Sequence, residues 1–209
     1  MLIKSFVITG GMGTGKSTVL NFFKQNGYTI YDADKLVSEL FINNHEFYSS
    51  LAMTFDNWLG TDFIMRDKID KAYLRPFLEK VENGFPKSLE IVTPFVQRKM
   101  EELYLTTKEN IIFEVPLLFE ANMQTNFEKI ILITCNFATR VDRISLRQPH
   151  LSKEKILQTI ESQMSEDLKK PFVNYIIDNS YDLAHLNSQL TTVLLDVNEY
   201  YQKKLKLKL

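Results

Sequence analysis

Residues 9–18 read Thr9-Gly10-Gly11-Met12-Gly13-Thr14-Gly15-Lys16-Ser17-Thr18. From Gly10 to Ser17 this satisfies G-x-x-x-x-G-K-[ST], a phosphate-cradling pattern whose meaning depends on a strand before it and a helix after it. Both are predicted here. The apolar run Phe6-Val7-Ile8-Thr9 predicts a strand over 6–9. Val19, Phe22 and Phe23 follow at helical spacing from Lys16, and Gly27 stands where a helix stop belongs. Glycines let backbone N–H groups approach phosphate oxygens with no Cβ in the way. A helix beginning near Lys16 adds the positive end of its dipole. Lys16 is placed to reach a β- or γ-phosphate, and the Ser17 hydroxyl to ligate Mg²⁺. Four of the seven glycines fall between positions 10 and 15. The dinucleotide pattern G-x-G-x-x-G fails, because counting from Gly11 and Gly13 puts Lys16 at its last position. Hydride chemistry on a nicotinamide is therefore disfavoured.

Outward from this stretch, strand and helix signals alternate. A second strand is predicted over 28–31. Asp32-Ala33-Asp34 then opens a helix with Leu36, Val37, Leu40 and Phe41 on one face. Residues 44–107 carry helical periodicity without a clear strand and are rich in aromatics, Phe47 and Phe85 among them. Further strands are predicted over 111–115, ended by Pro116, over 129–134 and over 173–178. Helices are predicted near 138–146, 153–164 and 183–200. The alternation predicts an α/β fold: a parallel five-stranded sheet flanked by helices. The expected domains are a core of residues 1–43 and 108–209, and a helical insertion at 44–107 that serves as a substrate cap.

Composition narrows the partners. The 209 residues suit one larger domain, or a core with one insertion, and 44% apolar residues supply a core. With 25 Lys+Arg against 26 Asp+Glu, the net charge of −1 gives no pull toward nucleic acid or an anionic membrane. The single cysteine, Cys135, excludes an intrachain disulfide and a cysteine zinc cage. Apolar runs stay far below the ~20 residues that span a bilayer. The N-terminus lacks the pattern of a secretory signal. A cytoplasmic protein with no nucleic-acid and no membrane partner is expected, as a monomer or a weak homo-oligomer. The basic tail from Lys203 reads as a solvated end.

Several charged residues are candidates for chemistry. Asp32 and Asp34 lie at the end of the second predicted strand, on the edge of an open sheet where ligands bind. Asp32 suits either a helix cap or a Mg²⁺ ligand. Asp34 suits the base that accepts a proton from an attacking hydroxyl. Glu114 ends an apolar strand and needs a partner, such as a metal, its water or a basic side chain. Glu120 reads as a structural contact or a residue lining the substrate. Three of the six arginines, Arg140, Arg143 and Arg147, share one helical face by their spacing. Guanidinium forks suit triphosphate oxygens; the other reading is a solvated basic face paired with neighbours such as Asp142. Gln148-Pro149-His150-Leu151-Ser152 then breaks the chain before a helix that Ser152 can cap, an arrangement expected of a lid at about 145–153. Arg75 is a candidate for a substrate phosphate. His45, His150 and His185 show no metal or triad spacing.

With these residues in hand, the chain resembles the dephospho-coenzyme A kinase family, P-loop kinases, over nearly its whole length. The motifs that carry the resemblance are the 9–18 stretch, Asp32-Ala33-Asp34, Leu74-Arg75, Val115-Pro116-Leu117-Leu118-Phe119-Glu120, Arg143 with Arg147, Gln163, and Ile177-Asp178-Asn179. Three positions depart from the family pattern: Thr93-Pro94 replaces His-Pro, Arg147-Gln148 replaces Arg-Asp, and Glu114 stands where Asp is common. The resemblance implies a P-loop NTPase-type core, a helical substrate domain and a lid. It implies ATP and Mg²⁺ as cofactors and phosphorylation of the ribose 3′-hydroxyl of dephospho-CoA, a small-molecule substrate. Asp34, Lys16 and Arg143 would be catalytic. Gly11, Met12, Gly13, Thr14, Gly15, Lys16, Ser17 and Thr18 would hold ATP with Arg143 and Arg147. Asp34, Arg75, Pro116, Leu117, Leu118 and Glu120 would meet the acceptor, and Ser17, Asp32 and Glu114 the metal.

Two other functions remain open at the level of sequence. A nucleoside or nucleoside monophosphate kinase would share the core and differ in its acceptor pocket. A catalytically silent nucleotide-binding module would share the cradle alone. A GTPase is disfavoured, since the chain has no Asn-Lys-x-Asp motif.

Overall fold

The computed structural model describes residues 2–59, 78 and 83–206. Arg75, the expected phosphate contact, lies outside the described residues. The strands are β1 (Ile3–Gly10), β2 (Thr29–Asp32), β3 (Ile111–Glu114), β4 (Phe127–Thr134) and β5 (Tyr175–Asp178). The helices are α1 (Lys16–Gln25), α2 (Ala33–Asn43), α3 (His45–Leu59), α4 (Gly84–Thr106), α5 (Phe137–Arg147), α6 (Lys153–Glu161), the single turn α7 (Glu166–Lys169) and α8 (Leu183–Lys206). The chain divides into two compact units: Met1–Tyr31 with Thr107–Leu209, and Asp32–Thr106.

The first unit holds the sheet, in the order β2-β3-β1-β4-β5. β1 runs parallel to β3, with Ile8 opposite Glu114, and parallel to β4, with Gly10 opposite Ile133. β4 runs parallel to β5, with Thr134 opposite Asp178. β1 is covered on both faces, as a central parallel strand must be, and Ile3, Phe6, Val7 and Ile8 are fully buried. It begins at Ile3, ahead of the apolar run at 6–9. Lys4 and Ser5 interrupt the hydrophobic signal, but Ser5 Oγ donates to the Ile111 carbonyl at 2.6 Å and lies 3.0 Å from the Tyr201 hydroxyl. A buried hydroxyl satisfied in this way costs little, so the strand continues through it.

Helices on one side of this sheet are held by one apolar cluster. Val19, Leu20 and Phe23 of α1 and Leu186, Leu190, Val193 and Val197 of α8 pack on Phe6, Ile8, Ile112, Ile131 and Ile177. A second cluster joins α5 to α6 through Ile144, Ile156 and Ile160, with the Met12 side chain against it. β5 starts at Tyr175 because Asn174 spends both its polar ends on β4: its N–H donates to the Ile130 carbonyl at 3.0 Å, and its Oδ1 accepts from Ile130 N at 2.8 Å.

The second unit is helical in its described part. Asp32 Oδ1 accepts from the amides of Asp34 (2.8 Å) and Lys35 (3.2 Å) and so caps α2. Asn44 Oδ1 accepts from Phe47 N at 2.8 Å and restarts the chain as α3. Leu36, Leu40, Phe47, Leu51, Phe95, Val96 and Met100 are buried. Phe47 meets both Phe41 and Phe95 edge to face, at 4.9 and 5.2 Å between centroids.

Candidate active site

In the first unit the chain leaves β1 and β4 toward opposite sides of the sheet, and ligands of open α/β sheets bind at such a divide, beyond the carboxyl ends of the strands. Residues 10–17 occupy that place. Gly13 and Gly15 have left-handed φ of +80° and +87°, which other residues adopt only with strain. Gly15 caps α1 without a side-chain acceptor, so the helix opens with amides that no side chain consumes. Thr14 is buried, and its Oγ1 donates to the Gly11 carbonyl at 2.9 Å. Lys16 Nζ donates to the carbonyls of Gly10 (2.8 Å) and Gly11 (3.2 Å). Ser17 and Thr18 lie exposed in the first turn of α1. These features make an anion site of backbone donors with one lysine held over it.

Three side chains grip this loop from behind. Gln163 Oε1 accepts from Met12 N at 2.9 Å. Arg140 Nε donates to the Met12 carbonyl at 2.9 Å, and its Nη1 pairs with Glu166 Oε1 at 3.3 Å. Asn179 Nδ2 donates to the Thr14 carbonyl at 2.8 Å. The approach is close enough that a Cβ could enter only if the neighbouring side chain shifted. A Cβ on Gly11 would collide with Arg140 Nη2, and one on Gly15 would collide with Asn179 Nδ2.

The arginines of α5 do not act alike. Arg140 is buried, so neither the triphosphate face nor the solvated face describes it. It braces the loop instead. Burial pushes the Glu166 carboxyl up, and the Arg140 guanidinium works against that shift. Arg143 is half-buried beside the cradle: its Nη1 would lie 3.5 Å from a Gly15 Cβ, and it donates to Cys135 Sγ at 3.4 Å. Burial pushes the Cys135 thiol up, with the Arg143 charge opposing. A small buried side chain is what this cysteine amounts to. Arg147 is exposed at the end of α5. The break after it is present, and Ser152 Oγ caps α6 by accepting from Lys155 N at 3.2 Å.

The stretch after β3 is anchored rather than free. Thr9 Oγ1 donates to the Pro116 carbonyl at 3.3 Å. Pro116 and Leu117 are half-buried, and Leu118 is fully buried. Glu120 Oε1 accepts from Lys169 Nζ and from Met164 N, each at 2.9 Å. Glu114 is half-buried at the end of β3. In the second unit, Asp34 is exposed in the first turn of α2. Among the described residues no cluster of three or more His, Cys, Asp or Glu forms a ready metal site.

Sequence reasoning did not assign Arg140, Glu166 or Lys169 these duties. Arg140 is separated from Arg143 by the same three-residue step that separates many surface pairs, so nothing local marks it as buried. Asn179 was legible in principle, since it follows β5 directly and strand ends face the ligand edge.

Comparison with known proteins follows the same lines. The profile of the dephospho-CoA kinase family, CoaE, matches residues 5–185. The chain is 30% identical over 197 residues to the dephospho-CoA kinase of Streptococcus mutans serotype c, covering 92% of this chain and 97% of that one. It is 28% identical over 200 residues to the dephospho-CoA kinase of Helicobacter pylori, covering 93% of this chain and 98% of that one. Among solved structures, TT1252 from Thermus thermophilus superimposes with a TM-score of 0.76 at 25% identity, over 94% of this chain and 99% of that one. The dephospho-CoA kinase from Campylobacter jejuni shares the fold, with a TM-score of 0.65 at 23% identity over 95% of this chain and 98% of that one. A phosphate cradle followed by a matching profile across both units places the chain in one family: it belongs to the dephospho-CoA kinases.

Proposed function

We propose that the cradle of residues 10–17 and the carboxylate of Asp34 together carry out the ATP-dependent phosphorylation of dephospho-CoA, giving coenzyme A and ADP. The observation that carries this reading is the loop itself: backbone donors at the uncapped start of α1, with Lys16 folded over them. Such a site binds the polyphosphate of ATP and stabilises charge on the transferring group. Asp34 takes the proton of the ribose 3′-hydroxyl. The freed oxygen pair forms the new bond to the γ-phosphorus, and the bond from that phosphorus to the β,γ-bridging oxygen breaks, its electrons leaving with ADP. Arg143 stands beside Gly15 and, with Arg147, spreads the negative charge of the transferred group.

Hydroxyl and carboxylate oxygens are donors that suit a hard cation such as Mg²⁺. Ser17, Asp32 and Glu114 would hold it. The Asp32 cap is made by Oδ1 alone. When bound, the ion would supply positive charge against the phosphates of the nucleotide. The helical unit takes the acceptor in this reading, with Arg75 on a phosphate; Pro116, Leu117, Leu118 and Glu120 are further acceptor residues by the family resemblance. No helix among the described residues is long and apolar enough to cross a membrane. We place the enzyme in the cytoplasm as a monomer or weak homo-oligomer.

The test is ATP consumption with dephospho-CoA, AMP, CMP and dTMP offered in turn, together with the product mass. Consumption with dephospho-CoA, and a product heavier by one phosphoryl group, is expected. Preference for a nucleoside monophosphate would overturn the acceptor.

A further inference from the structure

The three side chains behind the phosphate loop each hold one end of a peptide plane. A trans peptide is flat, with its C=O and N–H on opposite sides, and the chain has no cis bond among the described residues. Holding one end therefore aims the other. Arg140 Nε holds the Met12 carbonyl, so the Gly13 N–H points away from Arg140. Asn179 Nδ2 holds the Thr14 carbonyl, so the Gly15 N–H points away from Asn179. Gln163 Oε1 holds the Met12 N–H, so the Gly11 carbonyl points away from Gln163. That last plane supplies an internal check, because the Gly11 carbonyl meets Lys16 Nζ at 3.2 Å, on the cradle side. Among the described residues, neither Gly13 N–H nor Gly15 N–H donates to another backbone group.

The clamps are themselves fixed. Arg140 is 8% exposed and tied to Glu166, and Asn179 is 6% exposed with its N–H on the Thr134 carbonyl at 2.9 Å. We propose that Arg140 and Asn179 are positioning residues that aim the Gly13 and Gly15 amides at the phosphates of the nucleotide, while Gln163 sets the Gly11 carbonyl beneath Lys16. This rests on the reading of residues 10–17 as a phosphate cradle. Each side chain acts through a peptide plane.

The test uses the full chain and inorganic tripolyphosphate, a probe of the cradle that is independent of the acceptor. Asn179→Leu and Arg140→Leu remove the donors. Each is expected to lower tripolyphosphate affinity roughly tenfold and to raise the KM for ATP by a similar factor, with the KM for dephospho-CoA unchanged. Arg140→Gln keeps a donor for the Met12 carbonyl and loses the charge, and is expected to stay within about threefold of the parent. Equal losses for Arg140→Gln and Arg140→Leu would show that charge, not aim, is what matters, and would overturn the proposal. So would parent-like affinity in Asn179→Leu, or a joint rise of both KM values with a lowered melting temperature. Should these variants fail to fold, ¹⁵N spectra of the parent chain decide the matter. Tripolyphosphate is expected to shift the Gly13 and Gly15 amides most, and unmoved signals sink the proposal while leaving the cradle. A parent chain that binds no tripolyphosphate removes the cradle reading as well.

Discussion

Lys169 and Glu120 form an ion pair withdrawn from water: Nζ to Oε1 is 2.9 Å, with the side chains 1% and 14% exposed. Glu120 Oε1 also accepts from Met164 N at 2.9 Å, and Oε2 is buried without a hydrogen-bond partner. The pair thus pins residues 163–169, the strip that carries Gln163 and Glu166 to the back of the phosphate loop.

Breaking such a pair on one side leaves a charge that the interior cannot solvate. Lys169→Met is expected to lower stability by roughly 3–5 kcal/mol in urea unfolding. The double variant Lys169→Met/Glu120→Leu removes both charges and is expected to recover most of that loss. A double variant no more stable than the single would show that the charges are not what matters.

Gly15 is constrained twice, by its φ of +87° and by Asn179 Nδ2, which stands where a Cβ on this residue would have to go. Gly15→Ala is expected to cost about 1–2 kcal/mol in backbone strain alone, to displace the Asn179 clamp, and to abolish measurable ATP binding in calorimetry. ATP binding at parent affinity would refute the close-packing argument.

Asp34→Asn deletes a proton acceptor without touching the cradle. Turnover is expected to fall by roughly 10²–10⁴ while ATP affinity stays near that of the parent. Calorimetry and initial rates together check this, and near-parent turnover would remove Asp34 as the base.

Tyr28 supplies a pH signature. Burial pushes its hydroxyl from the ordinary 10 up to about 12, and the hydroxyl donates to Asn198 Oδ1 at 2.6 Å. The folded state therefore holds this proton more tightly than the unfolded chain. Its contribution to stability is complete below pH 10 and is lost as pH rises toward about 12. Tyr28→Phe is expected to flatten the alkaline limb of melting temperature against pH across that window. An unchanged limb would refute the assignment.

Local pattern determined the parts of this protein that local physics controls. The glycine spacing at 10–15, the apolar strand ahead of it and the helix after it were readable because turn conformation and side-chain periodicity depend on near neighbours. The Ser152 cap and the five strands were readable for the same reason. Strand ends were less so: β1 runs on to Ile3 through a buried Ser5 whose partners, Ile111 and Tyr201, are distant in sequence. The duties of Arg140, Glu166 and Lys169 were decided by tertiary structure alone. Whether a charged side chain meets solvent, substrate or a buried partner depends on what the fold brings beside it. For Arg140 that neighbour is the Met12 carbonyl, 128 positions away along the chain.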